Sequence, residues 1–277
     1  MKIAIIKRNA SDSPNMAGND AAILESVAEE LKSRDAEVTV IDGHAPIDAD
    51  IICHMTRTGS TLDKIAEAEK NGAIAINSAA AVRRCSRIAL MQELQKSGIP
   101  QPEFTVFEND EAIDALPYPA WIKRGDGWSC HKNDVCFARN LNEAKEAVAE
   151  MRGRGISRHV HSKHIEGDIV KFYGIGERFF HYCYPNPDKS KFGLEKINGA
   201  PHHYAFSMQE MRETAFSAAK AVGVEIYGGD CIVDKNGSIY IIDLNDFPSF
   251  TAVRSKAAYE IAEHITKRYI EENERRR

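Results

Sequence analysis

The chain has 277 residues, 43% hydrophobic and 28% charged, with a net charge of −5. This is the balance of an ordinary soluble globular protein of two or three lobes, and it gives no reason to expect nucleic acid. No stretch approaches the ~20 apolar residues of a membrane span, and no leader pattern opens the chain, so a cytoplasmic protein is expected.

Lys2–Ile6 reads as a short apolar strand, followed by a polar, turn-rich loop to Gly18. Asn19 or Asp20 is placed to cap a helix whose apolar residues Ile23, Val27 and Leu31 recur every four positions. Strands follow at Glu37–Ile41, Ile51–His54 and Ala73–Ile76, with a helix over Thr61–Lys70. Strands alternating with helices predict a parallel sheet in a small Rossmann-like lobe. No G-x-G-x-x-G follows the first strand, so a dinucleotide is not indicated. Arg57-Thr58-Gly59-Ser60-Thr61 closes the third strand and opens a helix. It reads equally as an anion site at a helix N-terminus and as plain capping beside a surface arginine.

Residues 78–84 read as a linker to a helix over Ser86–Ser97, which stops at Gly98 before Pro100. Pro119–Lys123 is a strand ending in lysine, and Arg124-Gly125-Asp126-Gly127-Trp128-Ser129 is a loop in which Asp126, Trp128 and His131 interrupt the glycines. Asp134–Ala138 is a strand, Glu143–Met151 a helix and Arg158–Ile165 a strand. His159 and His161 share a strand face while His164 points the other way, which is a poor metal geometry. A basic strand, Ile169–Gly176, carries Lys171, and Phe179–Tyr184 returns from it. Residues 185–201 form a long polar connection with Lys189, Lys191 and Lys196. Six scattered cysteines without a C-x-x-C pair fit reduced thiols.

After a helix over Met208–Val222, Cys231–Val233 and Ile239–Ile242 flank Asp234-Lys235-Asn236-Gly237, the turn of a hairpin. Folding that hairpin brings Asp230 beside Asp243 and Asn245, whose side chains share a face. Three hard oxygen donors suit Mg²⁺. A last helix runs from Phe250 to about Glu271, with Ala257, Ile261 and Ile265 toward the core.

The order of these motifs resembles the ATP-grasp enzymes. The shared features are a helix followed by Gly98-Ile99-Pro100-Gln101-Pro102, the strand-end Lys123, the acidic Glu166-Gly167-Asp168 and the Asp230…Asp243-x-Asn245-x-x-Pro248 signature. The resemblance implies an α/β ATP-grasp fold with an N-terminal Rossmann-like lobe (1–82), a small central α+β lid (83–165) and a C-terminal α+β lobe (166–277). It implies ATP with Mg²⁺ or Mn²⁺, the metal held by Asp230, Asp243 and Asn245. Nucleotide contacts would come from Arg87, Lys123, Lys171 and either Glu166 or Asp168, the last two for the ribose. Arg254 and Lys191, the latter exchangeable with Lys196, would meet the transferred phosphoryl. The branch most resembled is that of the ribosomal-protein glutamate ligases. It implies a carboxylate–amine (or thiol) ligase that works through an acylphosphate on a small-molecule or peptide carboxylate, with no nucleic-acid or membrane partner and homo-oligomerisation left open. Asp243-Leu244-Asn245-Asp246-Phe247-Pro248 also resembles the ATP-grasp inositol polyphosphate kinases. For such a kinase Arg57, Arg83, Arg84, Lys189 and Lys191 would form a basic patch. A non-catalytic nucleotide-binding module is the third alternative.

Overall fold

A computed structural model describes residues 1–13, 16–108, 110–185, 197 and 199–277, with the side chains of 110 and 111 left aside. Three four-stranded sheets are joined by helices. The first is parallel, ordered β2-β1-β3-β4, from β1 (Lys2–Ile6), β2 (Glu37–Ile41), β3 (Ile51–His54) and β4 (Ile74–Ile76). β3 is buried at every position, as a parallel strand covered on both faces must be. Helix α2 (Gly59–Lys70) covers one face through Leu62 and Ile65, and α1 (Ala17–Lys32) covers the other.

The second sheet, antiparallel, is ordered β5-β8-β6-β7. Its strands are β5 (Phe104–Phe107), β6 (Ala120–Arg124), β7 (Val135–Ala138) and β8 (His159–Lys163), backed by α5 (Leu141–Gly153). The third, also antiparallel, is ordered β10-β9-β11-β12, from β9 (Asp168–Ile175), β10 (Phe179–Cys183), β11 (Ile226–Val233) and β12 (Ile239–Asp246). Helix α6 (Met208–Val222) packs on it; Ser207 caps its start and Gly223, at φ 85°, ends it.

Four expectations change. Residues 79–84, read as a linker, form a helix, α3 (Ala79–Arg84), because the Ser78 hydroxyl accepts from the Ala81 N–H and three alanines follow. Helix α1 starts at Ala17, so neither Asn19 nor Asp20 caps it; Asn19 instead accepts from Arg254, and Asp20 is buried beside Arg8. The central hairpin runs further than its apolar runs indicate, to Ile226 and Asp246, so Asp230 lies in mid-strand. The last helix, α7, spans Arg254–Arg275 and starts four residues later than read.

Helix α4 (Arg87–Lys96) faces two ways. Leu90 and Leu94 join the third sheet's cluster, while Ile88 and Met91 pack on Val160 of β8. One apolar cluster joins the first and third sheets: Ile3, Ile5, Val27 and Ile51 share it with Ile175, Ile226, Ile261 and Ile265 of β9, β11 and α7. Asn77 adds polar ties there, accepting from the N–H groups of Glu225 and Ile226 and donating to the Ile226 carbonyl. Among the described residues no helix is long and apolar enough to cross a membrane.

Candidate active site

A cavity of about 610 Å³ lies where the three sheets meet. Its floor is a register row across the third sheet. Cys183 of β10 opposes Lys171 of β9, Lys171 opposes Asp230 of β11, and Asp230 opposes Asp243 of β12. A bulge then shifts the β11–β12 register past Asp230, giving β12 one extra residue, Ile242. Gly228 and Asn245 oppose each other one step along, on the same face. A side chain at Gly229 would lie 2.2 Å from the Asp243 carbonyl, and one at Gly228 2.7 Å from Pro248, so two glycines precede Asp230 because the chains approach too closely for anything larger.

Each of the three oxygen-bearing groups meets a basic side chain. Lys171 Nζ is 2.8 Å from Asp230 Oδ1, Arg87 donates to Asp243 Oδ1 at 3.2 Å, and Arg57 donates to Asn245 Oδ1 at 3.1 Å. Asn245 Nδ2 donates to Asp243 Oδ2 at 3.1 Å, which leaves the Asn245 oxygen turned away from its own neighbour. Burial opposes ionisation of Asp243, yet Arg87, Lys123, the Asn245 hydrogen bond and Arg57 together hold its carboxyl below the usual range. Lys123, 6% exposed at the end of β6, has its ammonium pushed down to about 7 by burial and by neighbouring Arg87, with Asp243 opposing.

The roof is the loop at 125–131. Arg124 holds Asp126 through its backbone and side-chain oxygens, and Asp134 accepts from the N–H groups of Cys130 and His131. Arg87 ties this loop to the floor, its N–H donating to the Gly127 carbonyl and its guanidinium to Ser129 Oγ. Two positions along β9 and β11 from Lys171 and Asp230, Ile169 and Ile232 line an apolar part of the same cavity, with Trp121 and Ile165 also on its wall.

The side toward the first sheet carries a buried charge cluster of which the sequence flagged Arg57 alone. Arg57, with its side chain only 5% exposed, gives Asp246 a 2.8 Å hydrogen bond from Nε and a 2.6 Å ion pair from a terminal nitrogen. Arg8 donates to the Asp246 and Phe247 carbonyls and lies 3.7 Å from the Asp246 carboxylate and 3.6 Å from Asp20. Arg57 is thus neither an exposed cap neighbour nor an arginine held for an incoming anion alone, since a buried carboxylate engages it.

Of the residues named from sequence, Asp230, Asp243, Asn245, Lys123, Arg87 and Lys171 all line the cavity. Three described ones do not. Glu166 is exposed off its edge. Asp168 is buried and accepts from the His202 and Tyr204 N–H groups, which holds its carboxyl low against the cost of burial. Arg254 donates to Asn19 and joins α7 to α1. Lys189, Lys191 and Lys196 lie outside the described residues. The three histidines diverge: His161 bonds the Pro117 carbonyl, His164 accepts from Trp121, and His159 stacks on Phe107. Among the described residues no group of three His, Cys, Asp or Glu side chains converges; the floor combines two carboxylates with an amide.

No family model matches the chain. A D-alanine–D-alanine ligase of Neisseria meningitidis serogroup C is 24% identical over 190 residues, covering 57% of this chain and 56% of that protein. The chain thus spans about half the length of the curated relatives it matches. A RimK domain ATP-grasp protein of Sphaerobacter thermophilus superimposes with a TM-score of 0.72 at 17% identity, over 96% of this chain and 99% of that one. The D-alanine–D-alanine ligase of Bacillus anthracis complexed with ATP gives 0.72 at 14%, over 99% of each. These superpositions establish the fold: an α/β ATP-grasp architecture.

Proposed function

We propose that this ATP-grasp chain is an ATP-dependent carboxylate–amine ligase that activates its carboxylate as an acylphosphate. The observation that carries the reading is the floor row beneath the cavity. Two carboxylates and an amide oxygen lie on one face of adjacent strands, with Lys171, Arg87 and Lys123 among them. That donor set fits a hard divalent cation, and the surrounding cations fit a polyphosphate tail. When bound, Mg²⁺ or Mn²⁺ would supply neutralisation of phosphate charge. Asp230, Asp243 and Asn245 would hold it, while Lys123 and Arg87 would take the phosphates nearer the roof. Lys171 would move its charge from Asp230 to the nucleotide. The apolar part at Ile169 and Ile232 offers room for the base; Glu166, exposed and next in the chain to the lining residue Ile165, would have to turn inward to meet the ribose, while Asp168 keeps its backbone partners. The carboxylate would then attack the terminal phosphorus as the bond to the β-phosphate breaks and ADP leaves, and an amine would displace phosphate from the mixed anhydride with loss of a proton.

The kinase alternative needs a dense basic patch. Among the described residues, Arg83 pairs with Asp63, Arg84 donates to the Val222 carbonyl, and Arg57 with Arg8 is balanced by Asp246 and Asp20. Of the described members, Arg83 and Arg57 are balanced by carboxylates while Arg84 meets a neutral carbonyl, and that partial balance supports the ligase. The relatives named above as D-alanine–D-alanine ligases support the same chemistry. The cytoplasm is the proposed setting, since ATP is the proposed substrate.

With ATP, Mg²⁺, hydroxylamine and a panel of amino and peptide carboxylates, the expected products are ADP, free phosphate and a hydroxamate. Phosphate retained on a polyol acceptor would transfer the assignment to the kinase. Tight ATP binding without turnover on any acceptor would leave a binding module.

Lys123 supplies a pH test. Below pH 7 it is already charged before the nucleotide arrives. Above pH 7 the empty site holds it neutral, so binding a polyanion must take up a proton. Affinity for ATP is therefore expected to fall by up to about tenfold per pH unit above neutrality. Titration calorimetry above about pH 7.5, where the nucleotide's own phosphates are ionised, isolates this uptake. Lys123→Arg, which does not titrate in this range, should abolish the slope; a slope unchanged in that variant assigns the proton to another group.

A further inference from the structure

Arg57 touches all three parts of the site. Its backbone follows β3 of the first sheet. The edge of its guanidinium engages Asp246 Oδ1 at 2.6 and 2.8 Å and Asn245 Oδ1 at 3.1 Å, on β12 of the third. Its Cζ lies over the ring of Trp128, 5.1 Å from the centroid, on the roof loop beside the second sheet. The indole packs against the first sheet's cluster of Ile6, Ile52, Leu62 and Ile65. Its Nε1–H, buried, finds no acceptor among the described residues. The indole is therefore held by apolar packing and by the guanidinium plane.

A guanidinium is rigid and planar. It can bond along its edge and stack on its face at once, which an ammonium cannot do in the same geometry. The guanidinium that meets the indole also donates to the Asn245 oxygen, so it holds that oxygen jointly with the Asn245 bond to Asp243. We propose that Arg57 is a positioning residue that couples closure of the 125–131 loop to the orientation of Asn245, so that the cation site is completed only when Trp128 is seated. This rests on the reading of Asp230, Asp243 and Asn245 as the cation site.

The experiment measures Mn²⁺ binding by electron paramagnetic resonance in the presence of a saturating non-hydrolysable ATP analogue. Trp128 fluorescence is followed in parallel in a Trp121→Phe background, since the chain has two tryptophans. In Arg57→Lys, which keeps the charge opposite Asp246, analogue affinity without metal is expected to stay within about threefold. Mn²⁺ affinity in the ternary complex is expected to drop by about tenfold or more, as for other residues that orient a ligand. The Trp128 response to Mn²⁺ is expected to vanish. Trp128→Leu, which supplies no ligand atom to lose, is expected to cost Mn²⁺ affinity by a similar factor, and the double variant no more than either single change. Should Arg57→Lys fail to fold, Trp128→Leu carries the test alone. Wild-type Mn²⁺ affinity in either variant, or losses that simply add, overturns the coupling. Asp243→Ala separates the two levels: Mn²⁺ binding that persists in that variant removes the cation site itself, and the coupling with it.

Discussion

Asp243→Ala is expected to lower ADP formation by at least roughly 10²–10³-fold without unfolding the protein, on the scale of removing one preorganised electrostatic partner from an active site. The carboxylate sits at the end of the floor row, accepts from Arg87 and Asn245, and is the counter-charge nearest Lys123. Its loss would leave two cations facing each other across the place where phosphates would lie, and would take away one of the three oxygen-bearing groups. Its side chain is 31% exposed, so truncation opens onto the cavity instead of leaving a sealed void, and melting should change little. A coupled ADP assay beside a thermal melt checks both halves. Turnover at the wild-type rate in a folded variant removes the cation assignment.

Asp246→Ala should act the other way round, through the fold. Asp246 is 1% exposed and meets Arg57 and Arg8, whose side chains are 5% and 7% exposed. Removing it strands buried guanidinium charge, which typically costs about 3–5 kcal/mol. At about 2–4 °C per kcal/mol for a chain somewhat smaller than this one, melting should fall by roughly 6–20 °C. Asp246→Asn, which keeps an acceptor for Arg57 Nε but not the charge, should fall between the two. Calorimetry of the three proteins decides it. An unchanged midpoint for the alanine variant would mean that water reaches the arginines and the cluster is not sealed.

The two predictions mark what was legible beforehand. Asp243 and Asn245 could be read because a hairpin is a local object. Its turn residues, its alternation and the two-residue spacing of the pair lie within one short stretch; the bulge that adds Ile242 to β12 and so brings Asp230 opposite Asp243 could not be read from that spacing. Lys123 was legible for a similar reason, as a charge ending an apolar strand before a glycine-bearing loop. The Asp246–Arg57–Arg8 cluster was not. Its partners are 189 and 238 residues apart, and nothing local distinguishes a buried arginine from a solvated one. Trp128 interrupted a glycine loop and looked like a departure from pattern; only the packed structure gives it Arg57 to lie against. Asp168 was misleading in the opposite sense. An acid beside a glycine at a strand entry looks ready for a ligand, yet two backbone N–H groups more than thirty residues away take its carboxylate.

The apolar cluster shared by the first and third sheets has a mechanical corollary. Those two bodies share one continuous core, whereas the antiparallel sheet of β5 to β8 meets them through the smaller α4 contact and the roof loop. The acids of the floor lie on the third sheet, while Lys123 lies on the second. Opposite charges thus face each other across the joint between them. A polyanion carrying its own counter-ion is the kind of guest that would satisfy both sides at once.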